Sequence, residues 1–355
     1  MHRSHGQGGY TLWELMLAMT IMLIVMAIAM RFMNDSVSIS HTTREMTEAQ
    51  QNLRTAHEFI ARDLVAAGDG MEDIRSPRLL KTFLNNHLTK APVGDTTYAA
   101  LGVLGIVTSD NQAPNGTALP VPSPTPGTSI PVLTATDRLT IMMIDPDFND
   151  DAGSIPLPSG NVTGNGQTVT IPGTVSMTQF SVGDIYFFTS TTASAFGSVT
   201  AINSAARTLT FAAGDRFGLN QVNANGPINL VANGRPSTLM RMEVVHYYID
   251  SDKLLRRRVY GVGGVGGYTD TVVAEHIADL QFRYVLGQSD ANGNVLAPVT
   301  ALGTEAQQSL VRQVEVTVIA ETAHNVVNGA KQKMTMTGTT TVRNMQFNTH
   351  LKMSN

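Results

Sequence analysis

The chain carries near its N-terminus the stretch Gly8-Gly9-Tyr10-Thr11-Leu12-Trp13-Glu14-Leu15-Met16, which leads into an apolar run from Leu15 to Met30 without a charged residue. Glu14 places a carboxylate at the start of this run. Insertion of such a charged side chain into a bilayer costs about 2.5–3.5 kcal/mol on scales measured by membrane insertion. A lone acid there indicates function and needs a partner. An ordinary secretory signal is cut after its apolar segment, whereas here the glycines precede it. Cleavage after Gly9 would therefore keep the apolar helix and expose a new amine on Tyr10, four residues before Glu14.

The residues from Gly9 to Met16 resemble the class III leader junction of type IV prepilins, which has a glycine before the cut, an aromatic first mature residue and a glutamate five residues in. The resemblance implies that prepilin peptidase, a membrane aspartic peptidase on the cytoplasmic face, cleaves after Gly9 and methylates the Tyr10 amine. It also implies extraction of the helix into a pilus or pseudopilus core, where Glu14 would neutralise the terminal amine of a neighbouring subunit. Trp13 departs from the usual aliphatic residue but keeps this charge pairing. The alternative is a plain membrane anchor with a stray acid.

Composition limits the other possibilities. Apolar residues make up 42% of the 355 residues and charged residues 15%, which indicates a packed soluble part beside the anchor. The net charge of −4 gives no electrostatic case for nucleic-acid binding. The chain has no cysteine, which excludes disulfides and cysteine–metal chemistry. Arg3 precedes the apolar run while Arg31 and Arg44 follow it, so the expected orientation depends on the leader motif rather than on charge.

Methionines recur every three or four residues along the apolar helix and share one helical face. They are Met16, Met19, Met22, Met26, Met30 and Met33. Methionine is flexible and polarizable, so it fills irregular gaps between packed helices. This face suits compliant contacts between subunits in a pilus core and equally suits lipid, and the sequence leaves both interpretations open.

Helical periodicity continues beyond the apolar run, through Met46, Ala49, Leu53, Ala56, Ile60 and Leu64. Ala66-Ala67-Gly68 predicts the helix C-terminus, with the glycine in the left-handed conformation. A helix from Tyr10 to Ala67 would be on the order of 85 Å long at ~1.5 Å per residue. We expect its lower half to span the membrane and its upper half to bury one stripe against a head. Asn34-Asp35-Ser36 would allow an interruption between the two halves.

Two further segments are predicted between this helix and the head. A short helix would be capped by Ser76, with Pro77 in its first turn and an apolar face formed by Leu79, Leu80, Phe83, Leu84 and Leu88. The segment from Ala113 to Pro131 is rich in proline, so we expect an extended surface loop or linker rather than a binding site for a proline-recognising partner.

From Asp137 onward the pattern predicts β-strands. Val314, Val316 and Val318 alternate with polar residues, which indicates one buried and one solvated face. The predicted strands are Leu139–Ile144, Thr168–Ile171, Asp184–Ser190, Ser198–Ile202, Thr208–Phe211, Met240–Ile249, Leu254–Tyr260, Leu280–Leu286, Val311–Thr322 and Met334–Phe347. The predicted fold class is α+β, with a long N-terminal α-helix, transmembrane in its lower half, packed on a β-rich head of antiparallel sheets.

Three segments of the chain make the resemblance more specific. They are Ala61-Arg62-Asp63-Leu64 with Ala67-Gly68, then Phe180-Ser181-Val182-Gly183-Asp184, and Ile277-Ala278-Asp279-Leu280-Gln281-Phe282-Arg283-Tyr284. These segments resemble PilW-type minor pilins and, more distantly, the J-type minor pseudopilin of type II secretion. The stretch from Gly153 to Gly166 and the proline-rich segment fit neither pattern.

Other motifs are discounted on their context. Gly261–Gly266 matches GxGxxG, but no helix opens after it as a phosphate site requires, so we expect a loop between strands. Arg256-Arg257-Arg258 lies within a strand, so its side chains alternate between faces, and we expect a solvated strand near a sheet edge. His246, His276 and His324 lie on separate elements without ligand spacing, and we expect ordinary polar roles.

One acidic segment resembles the start of a calcium loop, Asp145-Pro146-Asp147-Phe148-Asn149-Asp150-Asp151. It lacks the turn glycine at the sixth position, and Pro156 stands where the bidentate glutamate would be. We therefore expect an acidic surface loop, and neither a metal nor a cofactor. No Ser–His–Asp or paired-carboxylate arrangement is recognisable in the sequence.

The sequence divides into five predicted regions. They are a leader peptide (residues 1–9), a transmembrane or pilus-core helix (10–33), an amphipathic helix extension (34–67), a helix and Pro-rich loop region (68–136) and a β-rich globular head (137–355).

Together these patterns predict a non-enzymatic minor pilin of a type IV pilus, which initiates assembly or forms part of the tip complex by packing against other subunits. The expected partners are other minor and major pilins, prepilin peptidase, the inner membrane and the pilus assembly platform, without nucleic acid. Before assembly the chain would cross the inner membrane once with its head in the periplasm, and afterwards it would lie on the pilus at the cell surface. The alternatives are a J-type minor pseudopilin of a type II secretion system, a surface-displayed adhesin or DNA-uptake pilin, and a membrane-tethered hydrolase.

Overall fold

The structure is α+β, with a long N-terminal helix followed by a head of antiparallel β-sheets, which confirms the predicted fold class. It is a computed structural model. The residues that it describes are 11–70, 77–80, 83, 98–100, 106–109, 121–122, 129–133, 135–221, 225–261, 267–288, 295–302, 307, 310–326 and 330–343.

Helix α1 runs from Leu12 to Ala66, and its 55 residues span about 82 Å at ~1.5 Å per residue. It is continuous through Asn34-Asp35-Ser36, so the interruption that these polar residues would allow does not occur. Gly68 follows the helix in the left-handed conformation, at φ 79°, as the sequence predicted. Its amide donates a hydrogen bond of 2.8 Å to the carbonyl of Met142, which ties the end of the helix to the head.

The described part of the head contains nineteen strands and a short helix α2, Pro227–Ala232. The strands are β1 Pro77–Leu80, β2 Tyr98–Ala100, β3 Ile106–Ser109, β4 Val121–Pro122, β5 Ser129–Ile130, β6 Arg138–Ile144, β7 Ile155–Leu157, β8 Val162–Thr163, β9 Thr168–Thr170, β10 Ile185–Thr189, β11 Ser194–Ser198, β12 Ala201–Asn203, β13 Thr208–Thr210, β14 Ser237–Ile249, β15 Leu255–Tyr260, β16 Tyr268–Ala274, β17 Ile277–Leu286, β18 Val311–Glu321 and β19 Lys333–Thr341.

Strand β14 forms the centre of the largest sheet. Its first half pairs with β10 on one side and β7 on the other, and its second half pairs with β15 and β6. The sheet continues in the order β16-β15-β14-β10-β11-β1-β2, and β3 pairs with β6. Its described pairs are antiparallel apart from β1 with β11.

Two smaller sheets complete the head. Strands β17, β18 and β19 form an antiparallel sheet in that order, and β12, β13, β9 and β8 form another. Val314, Val316 and Val318 on β18 are fully buried while Gln313 is exposed, which confirms the alternation predicted for this strand.

The upper half of α1 forms one wall of the first core. Ala49, Leu53, Ala56, Ile60 and Leu64 are buried as the periodicity predicted. They pack with one face of β6, β14 and β15 and with the inner face of the sheet formed by β17 and β18. Met46 departs from the predicted stripe, because it is exposed and the neighbouring Glu45 is buried instead. Each fully buried leucine or isoleucine contributes about 1.5–3 kcal/mol of transfer free energy.

The opposite face of the large sheet supports two further cores. Met240, Met242 and Val244 on β14 point away from α1 and pack with Phe187 and Tyr260. A third cluster fills the space between β10, the four-stranded sheet and α2. Because alternate residues of β14 enter different cores, this strand is buried on both faces, and it connects α1 to the distant part of the head.

Two sequence predictions fail in detail. Pro77 begins strand β1 rather than a helix, since β1 pairs in parallel with β11, and tertiary pairing outweighs a local helix signal. The predicted strand Ser198–Ile202 is divided between β11 and β12. Within the proline-rich segment, β4 and β5 form a two-stranded antiparallel pair. Leu84, Leu88 and residues 262–266 of the glycine-rich segment lie outside the described residues.

We predict that Ile60→Ala lowers the free energy of unfolding of the head by about 2–5 kcal/mol, because it leaves a cavity between α1 and the sheets. Urea denaturation of the full chain in detergent, followed by circular dichroism in the strand region, measures this loss. Ile39→Ala is the matched control, because Ile39 lies on the same helix and is 67% exposed. Equal unfolding midpoints for both variants would show that α1 is not part of the head core.

Candidate functional site

The lower half of α1 is an exposed apolar surface. The helix is long and apolar enough to cross a membrane. No residue in its most apolar stretch is buried against the rest of the protein. Trp13, Leu23 and Phe32 are among its large exposed side chains. An apolar patch of this length exceeds what soluble monomers leave in water, so lipid or other protein subunits must cover it.

Glu14 lies at the first turn of this surface and closes a capping box. The Thr11 hydroxyl accepts a hydrogen bond from the Glu14 amide at 3.4 Å, and Glu14 Oε2 accepts from the Thr11 amide at 3.0 Å. The carboxylate also lies at the positive end of the helix dipole, which favours a negative charge. Gly9 and Tyr10 lie outside the described residues, so the structure gives no distance from Glu14 to the expected amine.

Thr11 was not among the residues that the sequence pattern predicted for the site. The pattern Thr-x-x-Glu from Thr11 to Glu14 is a capping-box signal, and it could have been found before an apolar run in the sequence. In the single chain Glu14 therefore has a local partner in addition to any partner on a neighbouring subunit. The capping box fixes the direction in which the carboxylate leaves the helix.

The six methionines of the apolar helix are all more than half exposed in the single chain. At ~100° per residue they cover about a third of the helix circumference. Their exposure agrees with contact to lipid and with contact to another helix, because both surroundings are apolar.

A charged network joins the upper part of α1 to the head. Asp63 is buried, and its Oδ2 accepts hydrogen bonds from Arg257 Nε at 2.6 Å and from the Tyr247 hydroxyl at 2.6 Å. Burial raises the pKa of Tyr247, and the charge of Asp63 raises it further. Burial alone would lower the pKa of Arg257, but the hydrogen bond and charge of Asp63 raise it overall. Tyr247 is therefore a neutral donor, and Arg257 and Asp63 form a desolvated ion pair.

The sequence predicted a solvated strand for the three consecutive arginines, and this prediction is wrong. Their side chains alternate between faces as predicted, since Arg257 contacts α1 while Arg258 contacts Asp270 on β16. Arg258 is fully buried, with Nη2 2.6 Å from Asp270 Oδ2 and its guanidinium over the Tyr268 ring at 4.0 Å. Strand β15 lies one position inside the sheet edge, so burial of the arginines requires the paired carboxylates that surround them.

The acidic segment that resembles a calcium loop begins with a buried residue. Asp145 is 4% exposed, and its Oδ2 lies 2.6 Å from Arg241 Nη2. The expectation of a surface loop is therefore wrong for Asp145, whose charge is neutralised by Arg241, and correct for the exposed Asp147, Asp150 and Asp151.

The histidines differ in their surroundings. His246 is buried, with Nδ1 2.8 Å from the Thr140 hydroxyl, which agrees with an ordinary polar role. His324 instead lies beside Glu45 and His41 of α1. The sequence could not indicate this contact, because His324 and Glu45 are 279 residues apart.

The N-terminal segment matches a known family model. Residues 4–30 match the family described as Prokaryotic N-terminal methylation motif. No curated protein matches the chain. The matched segment includes the glycine junction, Glu14 and the exposed apolar part of α1.

The methylation motif and the exposed helix together indicate a type IV pilin-like or pseudopilin protein with a membrane-anchoring N-terminal helix. Such a motif implies processing by prepilin peptidase and contacts between pilin subunits in general. It is also typical of structural proteins rather than enzymes.

We predict that Asp63→Asn lowers the free energy of unfolding by about 3 kcal/mol, because the buried charge of Arg257 loses its counter-ion while the shape of the side chain is kept. The matched control is Asp35→Asn, an exposed position on the same helix. Chemical denaturation of both variants in detergent gives the comparison. A variant at position 63 as stable as the control would show that the ion pair does not hold α1 to the head.

Proposed function

We propose that this protein is a PilW-like minor pilin of a type IV pilus, which initiates assembly or forms part of the tip complex by packing against other subunits. It acts by assembly and not by catalysis. The observation that carries this proposal is a methylation motif at residues 4–30, continuous with an exposed apolar helix whose upper half is built into a β-rich head.

The head segments that resemble PilW-type minor pilins support the proposal. Asp63 and Leu64 belong to the buried stripe of α1, and Ile277, Leu280 and Phe282 on β17 pack in the same core. In the segment from Phe180 to Asp184, the Ser181 amide donates a hydrogen bond to buried Asp184 at 2.9 Å. In two of the three segments the resemblance therefore includes residues that build the first core, while Ser181 and Val182 of the remaining segment are exposed.

The proposed processing follows from the junction. Prepilin peptidase cleaves after Gly9, methylates the Tyr10 amine and leaves Glu14 as the assembly residue. The leader then ends at residue 9, the membrane or pilus-core helix covers residues 10–33, and its extension covers 34–67. Residues 68–136 follow this helix and contribute β1, β2 and β3 to the large sheet of the head, and the other strands of this sheet belong to residues 137–355.

The proposed partners are other minor and major pilins, the inner membrane and the pilus assembly platform. Before assembly the head lies in the periplasm, and after extraction it lies on the pilus at the cell surface. The exposed methionine face and Glu14 support contacts with neighbouring helices, because an apolar face gains from packing and a carboxylate in apolar surroundings gains from a partner of opposite charge.

We predict that Gly9→Leu leaves the leader attached, because a bulky side chain at the cut prevents the extended backbone from entering the peptidase. Intact-mass measurement of the protein from native membranes gives the result. The parent chain should begin at a methylated Tyr10, and the matched control Gly6→Leu should be processed like the parent. A mature parent chain that begins beyond Met30 would contradict the pilin assignment altogether.

We predict that Glu14→Gln is processed and inserted normally but is recruited poorly into the pilus-tip complex, because the neighbouring amine loses its counter-ion. Glutamine at this position still supports a capping box, so the start of α1 is kept. Glu48→Gln, exposed on the same helix, is the matched control. Co-purification with other pilins from solubilised membranes, with a count of surface pili, measures recruitment. Assembly and piliation at the parent level would show that Glu14 is not a docking charge.

A further inference from the structure

Three side chains with metal-ligating atoms converge where the exposed part of α1 meets the head. They are His41 and Glu45 on the helix and His324 in the loop after β18. His41 Nε2 lies 3.9 Å from Glu45 Oε1, and His324 Nδ1 lies 2.9 Å from the same oxygen. One ligand atom from each of the three residues lies within 4.8 Å of the others.

The helix fixes two members of this cluster. Residues four apart lie on one face of an α-helix, which is also the arrangement of the two histidines in helical zinc sites. Glu45 is the first buried residue of α1 counted from the membrane side, so its carboxylate is held against the head.

The loop between β18 and β19 fixes the third member. The Thr322 hydroxyl donates to the carbonyl of His324 at 2.7 Å and accepts from the Gln332 amide at 3.1 Å. The His324 amide donates to Glu45 Oε2 at 3.2 Å. The backbone at His324 is thus held on both sides, and the imidazole, although 73% exposed, is hydrogen-bonded through Nδ1 to Glu45 Oε1 at 2.9 Å.

The spacing suits a tetrahedral transition-metal ion. Zinc binds imidazole nitrogen and carboxylate oxygen at ~2.0–2.2 Å, so two ligands on one zinc lie roughly 3.4 Å apart. The distances to the Glu45 oxygen, 2.9 and 3.9 Å, lie on either side of this value. Zinc binding therefore requires the exposed His41 and His324 rings to move until the three ligand atoms, now within 4.8 Å of one another, reach this spacing.

We propose that His41, Glu45 and His324 form a zinc site that ties α1 to the β18–β19 loop. Two imidazoles and one carboxylate match the borderline softness of zinc, whereas calcium takes six to eight oxygen ligands. The fourth coordination position faces solvent, because both imidazoles are mostly exposed. The site crosses the boundary between helix and head, so bound zinc stabilises the packing of the two against each other.

The test is a zinc titration of the full chain, processed, in detergent and free of any polyhistidine tag, by isothermal calorimetry. We expect one zinc per chain, and His324→Asn should raise the zinc Kd at least ~100-fold, because loss of a ligand exceeds the 10–100-fold typical of outer-shell changes. Zinc should raise the melting temperature of the parent and not of this variant. Calcium at the same concentration should leave the melting temperature unchanged.

The matched control is His276→Asn, the same substitution at a histidine outside the cluster. His276 has a positive φ of 57°, which asparagine tolerates, so the variant should fold and keep the parent zinc Kd. His41→Ala gives a second test, because His41 is 55% exposed and its loss does not disturb the head core. Absence of zinc binding by the parent overturns the proposal, as does an unchanged zinc Kd in either His324→Asn or His41→Ala.

Discussion

The burial of one stripe of α1 is the constraint on which the rest of the structure depends. A single continuous helix has to serve two surroundings, since its lower half is apolar on all sides and its upper half is apolar only toward the head. The change comes at Glu45, where the buried stripe begins. Because α1 is continuous, a force or contact at the Glu14 end is transmitted to the head without a flexible joint. Isolated helices of this composition would be marginal in water, so packing against the sheets stabilises the upper half.

Charge pairs determine how the helix sits on the sheets. Hydrophobic contact between Leu53 or Ile60 and the sheet has no direction, so it allows sliding by a turn of the helix. Asp63 removes this freedom, because its carboxylate must meet Arg257 and Tyr247 together. A buried ion pair adds little net stability but makes the unpaired alternatives costly. The Asp63 network at one end of the buried stripe and the Glu45 cluster at the other therefore specify one register of α1 on the head.

Local sequence patterns were sufficient to predict the helix and the long strands. The apolar periodicity from Ala49 to Leu64 persists over several helical turns, and the alternation in Val311–Glu321 persists along the whole strand. They were insufficient where the partner is distant in sequence. Asp63 and Arg257 are 194 residues apart, and Arg258 is neutralised by Asp270 only because the hairpin register sets them opposite each other. Pro77 carries a helix-start signal that β-pairing with β11 overrides. At the candidate site, Glu14 was recognised from its apolar surroundings, while its capping partner Thr11 was overlooked although the Thr-x-x-Glu pattern is local.

Single-cysteine scanning along α1 tests the central claim most directly, and the natural absence of cysteine makes every introduced thiol unique. Each variant, expressed in membranes without other pilins, is labelled with a membrane-impermeant maleimide. The account predicts no labelling from Leu15 to Met30, labelling on all faces from Asn34 to Arg44, and from Glu45 upward a period of three to four residues with protection at Ala49, Leu53, Ala56 and Ile60. Uniform labelling above Glu45 would show that α1 does not pack on the head, and strong labelling within the apolar run would show that it is not an anchor.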